Sequence, residues 1–300
     1  TLYIAPDGFL HQVAFSRLIL PDGRYWAERQ QIRRVQTGRD LVRQMETDNS
    51  GKLIAVGGID YDHYPDDDKP AAPFADGFLL ASADVHRAGA SLDPFKPLPA
   101  SRLEAQRIGS TYIMCRGPKV ETLLGGAATE GALKRLDEPP AVLHLSTHGF
   151  FLPDDDDVER PLVLSGLALA GANLTLAGKA EPDRNDGLLF SMEVLGLNLK
   201  GTELVSLSAC KTGTGQIDYS EGVYGLVRAF RVAGARSVLM TLWSVKDDEA
   251  KDFMTTFYRN WLQQPEGVSD PAEALHDTRM EYIEDAVDPR VWAPYVLVGK

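Results

Sequence analysis

Glu203-Leu204-Val205-Ser206-Leu207-Ser208-Ala209, running into Cys210, reads as a buried strand that ends on a thiol. Its apolar positions suit a strand covered on both faces. The segments C-terminal to it set the fold class. Gly222 to Val232 reads as a helix with Val223, Leu226, Val227 and Phe230 at core spacing, closed by Gly234. Ser237-Val238-Leu239-Met240-Thr241-Leu242 is the next strand. Asp247 to Leu262 is an amphipathic helix whose acidic first residues complement the positive end of its dipole. A helix over Pro271 to Ile283 and a strand over Tyr295 to Val298 complete this half. Strands alternating with helices through short links predict an α/β chain with a mostly parallel sheet and helices on both faces.

Toward the N-terminus the same alternation continues. Lys52 to Gly58 is a continuous apolar strand, and Ala141-Val142-Leu143-His144-Leu145-Ser146 is another, running straight into Thr147-His148-Gly149. Helical spacing occurs from Ser101 to Gly109, with Leu103 and Ile108 on one face, and from Thr129 to Leu136, with Thr129 as cap. Asp7-Gly8, after the apolar opening Leu2 to Ala5, predicts a tight hairpin turn, and Pro21-Asp22-Gly23 a second turn. The expected organisation is one domain, with residues 1–50 as a hairpin-bearing extension and 51–300 as the core. The chain starts at Thr1, so a longer parent protein is expected.

Composition narrows the function classes. With 43 acidic against 31 basic residues the net charge is −12, which disfavours direct contact with nucleic acid. No apolar stretch reaches the roughly 20 residues of a membrane span, and no signal peptide precedes the first strand. Two cysteines, Cys115 and Cys210, are too few for a disulfide framework or a cysteine metal cage, and they suit a reducing, cytoplasmic setting. No cofactor and no metal site is expected. The run Asp154 to Asp157 reads as a solvated loop rather than a calcium site.

Ligands bind beyond the carboxyl ends of strands in open parallel sheets. Two such ends here deliver His148 and Cys210. If their strands are neighbours, an imidazole and a thiol meet at one rim, and the imidazole raises the thiolate fraction of a group whose free pKa is about 8.5. Gly149 lets backbone approach a substrate, and its N–H with that of Cys210 could bind an oxyanion. Gly213 and Gly215 would keep the loop after the thiol open. Cys115 lacks such a setting and reads as packing, and His144 as a supporting hydrogen-bonding group. His11, His63, His86 and His276 have no chemical context.

His144-Leu145-Ser146-Thr147-His148-Gly149 and Leu207-Ser208-Ala209-Cys210-Lys211-Thr212-Gly213 resemble the histidine and cysteine motifs of CHAT domains. So do Glu221 through Phe230, Ala233 through Val238, Thr241-Leu242-Trp243, the opening Leu2 to Gly8 and Asp186 to Leu189, so the likeness spans nearly the whole chain. CHAT domains are relatives of caspases, metacaspases and separase, commonly attached to tetratricopeptide repeats. The resemblance implies a caspase-like fold and amide hydrolysis by a Cys210–His148 dyad, without an obligatory third member. It implies strand addition of substrate at Trp243-Ser244-Val245. Asp60 corresponds to an acid that holds a basic P1 side chain, Glu221 is a second candidate, and Ser208 stands where metacaspases carry an acid. A protein substrate, a regulating upstream region and a role in bacterial defence or regulated cell death are implied by the same likeness. The alternatives are a non-catalytic caspase-fold interaction module, or a hydrolase of small amides or thioesters.

Overall fold

The computed structural model describes residues 1–42, 48–65, 92–152, 165–179, 185–212, 219–264 and 270–299, with the backbone alone for 209–212 and 219–224. Gly213, Gly215, the run Asp154 to Asp157 and His86 lie outside the described residues. The strands in chain order are β1 (Leu2–Ile4), β2 (Ile32–Arg34), β3 (Leu53–Ile59), β4 (Val120–Gly125), β5 (Val142–Phe151), β6 (Ser165–Ala168), β7 (Leu188–Phe190), β8 (Leu204–Thr212), β9 (Ser237–Thr241) and β10 (Tyr295–Gly299). The helices are α1 (Trp26–Arg29), α2 (Pro99–Arg116), α3 (Glu130–Lys134), α4 (Ala172–Leu176), α5 (Ser191–Val194), α6 (Tyr219–Ala233), α7 (Asp247–Leu262), α8 (Pro271–Glu284) and α9 (Pro289–Trp292).

They form a sheet in the order β1-β2-β10-β9-β8-β5-β3-β4, with β6 and β7 attached to β5. Neighbours run parallel except at β10–β9, β5–β6 and β6–β7. The result is a mixed α/β fold with a central, mostly parallel sheet. Alternate residues of each strand feed two cores. Val56, Leu143, Leu145, Val205, Leu207 and Val238 pack against the face carrying α3, α5 and α6. Leu53, Val142, Leu204 and Leu239 pack against α2, α7 and α8, with Phe253, Phe257 and Trp261 from α7. Helices on both faces are what near-continuous apolar strands require. Among the described residues no helix is long and apolar enough to cross a membrane.

Two local expectations change. Asp7-Gly8 makes no hairpin: the Asp7 carboxylate accepts from the Gly8 N–H and opens a 3-10 turn over Gly8–Gln12. The opening strand instead pairs parallel with β2, Leu2 against Ile32. A hairpin also needs a second strand directly after its turn, and Phe9, 74% exposed, begins none. The second difference concerns α2. Its buried stripe is Ser101, Glu104, Ala105, Ile108, Gly109 and Tyr112, whereas Leu103 is 41% exposed. Five residues at about 100° each put Leu103 and Ile108 on different sides.

The end of β3 is locked onto the start of α2. A Cβ at Gly57 would overlap the Ser101 carbonyl, and the Gly58 N–H donates to Ser101 Oγ at 2.7 Å. Gly58, at φ +56°, then turns the chain toward Asp60.

A buried cluster ties α3, α5 and β7 together. Lys134 Nζ lies 2.5 Å from Glu130 Oε2 and 2.7 Å from Glu193 Oε1. Glu130 also accepts from the Gly187 N–H at 2.6 Å, and Glu193 from the Phe190 N–H at 2.9 Å. Two carboxylates thus share one ammonium, and beside them the Asp186 carboxyl hydrogen-bonds with Glu130. Burial, and then Glu130 and Glu193, raise Asp186 well above the usual carboxylate range. Burial and Glu130 push Glu193 up to about 7. A carboxyl raised on folding stabilises fully below its unfolded value, and that contribution disappears as pH rises through the folded value. Urea unfolding should therefore show stability falling by roughly 1–3 kcal/mol between about pH 4.5 and 7, with a flatter profile in Glu193→Gln. Parallel profiles for the two proteins would contradict this.

Candidate active site

β3, β5, β8 and β9 are mutually parallel, so their carboxyl ends share one rim. Asp60 follows β3, His148 and Gly149 lie near the end of β5, Cys210 near the end of β8, and Trp243 just after β9. The β5–β8 ladder runs from Val142↔Leu204 to Phe150↔Thr212, and within it His148 is the register partner of Cys210. The two residues are nearest neighbours on adjacent strands. Gly149 lies inside the sheet, in register with Lys211 on β8 and Leu167 on β6.

The imidazole of His148 is 5% exposed. Its Nε2 lies 2.7 Å from the carbonyl oxygen of Lys96. A carbonyl only accepts, so Nε2 carries the proton and Nδ1 is the basic nitrogen. Nδ1 is buried and, among the described residues, has no hydrogen-bond partner. Burial pulls the imidazole pKa below its ordinary value, opposed by the Lys96 carbonyl and by Asp247. Phe95 stacks on the ring with centroids 5.7 Å apart, and Tyr61 leans against it at 5.3 Å.

Lys96 has no motif that would mark it, because its main chain does the work. The segment is clamped by Asn173 at the start of α4: the Phe95 N–H donates to Asn173 Oδ1 at 2.8 Å, and Asn173 Nδ2 donates to the Phe95 carbonyl at 3.0 Å. Asp247, which opens α7, accepts from the Ala100 N–H at 2.7 Å and so anchors the start of α2 beside the site. Burial raises its carboxyl above the usual range, against the donation from Ala100.

Below His148 on the same strand lies a second polar group. His144 and Glu104 are fully buried. His144 Nδ1 is 2.7 Å from Ser206 Oγ, which is 2.6 Å from the Tyr258 hydroxyl. Burial pushes the Tyr258 phenol far up, so it stays protonated and can donate to Ser206, freeing the serine proton for Nδ1. Ser146 donates to Glu104 Oε2 at 3.1 Å. Glu104 Oε1 stands 3.1 Å from His144 Nε2, in ion-pair range but without hydrogen-bond alignment. His144 thus has the supporting place its spacing suggests. Glu104 and Tyr258 are not legible in the sequence, although a glutamate on the inward stripe of α2 is a usable signal.

The remaining candidates are spread along the rim and beyond it. Asp60 is 44% exposed at its side chain, 3.2 Å from His63 Nδ1, and accepts from the Asp62 N–H. The Ser208 hydroxyl is buried without a hydrogen-bond partner among the described residues. Glu221 lies in the first turns of α6, with its side chain outside the described atoms. Trp243 donates Nε1 to the Arg290 carbonyl at 3.0 Å beneath Arg17, Ser244 is exposed, and Val245 is buried. Cys115 is partly buried against the core under α2. Among the described residues no group of three His, Cys, Asp or Glu could hold a metal ion.

A mostly parallel sheet with helices on both faces makes this a caspase-like fold. The CHAT domain pattern matches residues 1–300, and the chain belongs to the CHAT domain family. Tetratricopeptide repeat protein 28 of Mus musculus is 30% identical over 118 residues, covering 39% of this chain and 5% of that protein. The Homo sapiens protein of that name matches to the same extent. The structure of the Saccharomyces cerevisiae separase–securin complex superposes with TM-score 0.50 and 13% identity, over 99% of this chain and 15% of that one. The Arg specific cysteine proteinase gingipain R aligns at TM-score 0.47 and 8% identity, over 90% of this chain and 54% of that one. The chain spans a small part of the curated relatives it matches, and its likeness to the solved structures is one of fold.

Removing the terminal hydroxyl of the buried network tests its contribution. Tyr258→Phe should lower the unfolding free energy by about 1–2 kcal/mol in urea with an unchanged m-value. A loss indistinguishable from zero would show that Ser206 and His144 are satisfied without it.

Proposed function

We propose that this chain is a cysteine endopeptidase domain that cleaves a peptide bond in a protein partner through Cys210 and His148. The observation that carries this reading is the register of His148 against Cys210 on adjacent parallel strands, together with an imidazole whose Nδ1 is left basic. In this reading Nδ1 takes the thiol proton and the thiolate attacks the scissile carbonyl carbon. The N–H groups of Gly149 and Cys210 hold the oxyanion. Collapse breaks the C–N bond while the imidazolium protonates the departing amine. Water then attacks the thioester carbon, Nδ1 accepts its proton, and the acid and thiol are released. Trp243-Ser244-Val245, after the strand next to β8, presents the edge on which a substrate strand pairs. Asp60, on the same rim, holds a basic P1 side chain, with Ser208 and Glu221 as further lining. An upstream repeat region would restrain the domain; the mouse relative is by name a tetratricopeptide repeat protein. Its setting is cytoplasmic, in bacterial defence or regulated cell death.

One observation favours a second reading, a non-catalytic caspase-fold module: the His148 ring is nearly enclosed by Phe95 and Tyr61. Covalent labelling separates the two. A peptidyl fluoromethyl ketone should alkylate Cys210, located by mass spectrometry, about 10²–10⁴-fold more slowly in His148→Ala. An unlabelled Cys210 across a panel of peptidyl electrophiles leaves the module.

The pH dependence has a definite sign. Burial lowers the imidazole pKa, so the neutral base persists as pH falls below 6.5 and is lost only lower down. The acid limb of the labelling rate should therefore lie below pH 6.5; a limb above that value contradicts the buried neutral base. Asp60→Ala should reduce turnover of Arg and Lys P1 peptides roughly tenfold and spare neutral P1 peptides. An equal loss across all P1 residues removes Asp60 from the pocket.

A further inference from the structure

We infer that the outer edge of β4 receives an extended peptide segment of a partner protein, added antiparallel to the sheet, with an acidic side chain against Arg102 and an apolar one against Ile113. β4 closes one side of the sheet, and among the described residues it pairs only with β3. The opposite side ends in β1, only three residues long, and a very short strand is a poor template for pairing.

The ladder with β3 fixes which main-chain groups of β4 are left over. Leu53 is the register partner of Val120 and donates its N–H to the Lys119 carbonyl. In a parallel ladder Lys119, Glu121 and Leu123 therefore turn toward β3, and the residues between them turn outward. The Val120 N–H is taken by the Pro118 carbonyl, and the Leu124 carbonyl by the Ala127 N–H. What remains is the Val120 carbonyl, both groups of Thr122 and the Leu124 N–H. One antiparallel strand satisfies all four, with the residue opposite Thr122 exchanging both of its bonds. Thr122 is exposed. None of the three outward positions carries the proline or charge that commonly protects an edge from pairing.

α2 forms a wall above this edge. A Cβ at Gly109 would stand 3.3 Å from Val120 Cγ1 and 3.6 Å from Thr122 Oγ1, so the helix passes directly over the outward residues. At about 100° per residue, Arg102, Gln106 and Ile113 lie beside Gly109 on the outer flank. Arg102 stands at the rim end, its Nη2 3.4 Å from where a Gly125 Cβ would be. Its side chain is exposed and, among the described residues, makes no hydrogen bond or ion pair. Ile113, 48% exposed, stands toward the other end.

Charge and spacing select the partner. The exposed charges on α2 are basic, because its one acid, Glu104, is fully buried. Glu121 lies on the opposite face of β4 and pairs with Lys52 at 3.1 Å. The flank is thus positive in a chain of net charge −12, and an acid in the partner is its complement. The step from Arg102 to Ile113 spans about 16 Å of helix, against about 13 Å for four residues of strand. An antiparallel strand enters at the Arg102 end. The recognised pattern is then an acidic residue followed four positions later by an apolar one, with β-branched residues between them. Two-fold pairing of β4 with a second copy would instead bring each Arg102 toward the other chain's Ile113, without a countercharge.

Fluorescence anisotropy of a labelled peptide, Gly-Glu-Thr-Val-Thr-Ile-Gly, titrated with the protein tests the edge. Binding should saturate, and the same peptide with Lys in place of Glu should bind roughly fivefold more weakly. Arg102→Glu should reverse that order. Thr122→Pro removes only an outward N–H, a change an edge strand tolerates, and should abolish binding. Hydrogen exchange followed by NMR should slow at the Thr122 and Leu124 amides when the peptide binds. No saturation up to about 1 mM protein, equal affinity for the Glu and Lys peptides, or unchanged exchange at both amides overturns the proposal. A dimer in analytical ultracentrifugation that Thr122→Pro dissociates also overturns it, assigning the edge to a second copy. Should Thr122→Pro fail to fold, an order of affinities that Arg102→Glu leaves unreversed is sufficient to reject it.

Discussion

The pairing of β5 with β8 governs both the sheet and the rim. Two constraints hold its register, and they differ in kind. Alternation of the apolar side chains forbids a slip of one residue, since Leu143, Leu145, Val205 and Leu207 would leave their core for the opposite face. A slip of two residues keeps every side chain on its own face, so apolar pattern alone does not prevent it. The buried hydrogen bonds do. His144 reaches Ser206, its register partner, and Ser206 reaches Tyr258 on α7. Moving β8 by two residues would strand these groups in the interior, where unpaired polar atoms are costly. The register that satisfies His144 also sets His148 opposite Cys210.

Around that pair the chain uses main-chain atoms where a side-chain partner might have been sought. The Lys96 carbonyl fixes the tautomer of His148, Asn173 fixes the segment that offers the carbonyl, and Asp247 fixes the helix after it. Stacking by Phe95 and Tyr61 removes water from the ring, which keeps the imidazole neutral. Orientation and desolvation thus come from a short helix far away in sequence, from the loop at Phe95 and Lys96, and from the helix start that follows it. The Gly57 and Gly58 contacts with Ser101 bring the last of these close enough to count.

Charge is distributed in a comparable way. Titratable groups inside are gathered into separate places: Glu104 with His144, Lys134 with Glu130 and Glu193, and Arg34 near Arg279. Each place joins elements remote in the chain, and each sits where two packed layers meet. Buried charge of this kind contributes little net stability over apolar packing, but removing one partner is strongly destabilising. It therefore discriminates against misdocked arrangements of helices that apolar contacts alone would accept.

Much of this architecture is legible from residue order. Apolar runs with helical segments between them determine the parallel sheet, its two covered faces, and the strand ends that carry His148 and Cys210, because period and burial are local properties of the chain. The stripe of α2 is not recoverable from Leu103, since a short window cannot tell which of two apolar residues faces inward. Nor does Asp7-Gly8 define the pairing of the opening strand, because Asp-Gly is a turn signal whose outcome depends on whether a partner strand comes at once. Only the tertiary structure decided the β5–β8 register, the Lys96 carbonyl and the meeting of Arg34 with Arg279. Those depend on contacts between segments far apart in sequence, and no local pattern encodes which buried polar atom will find which partner.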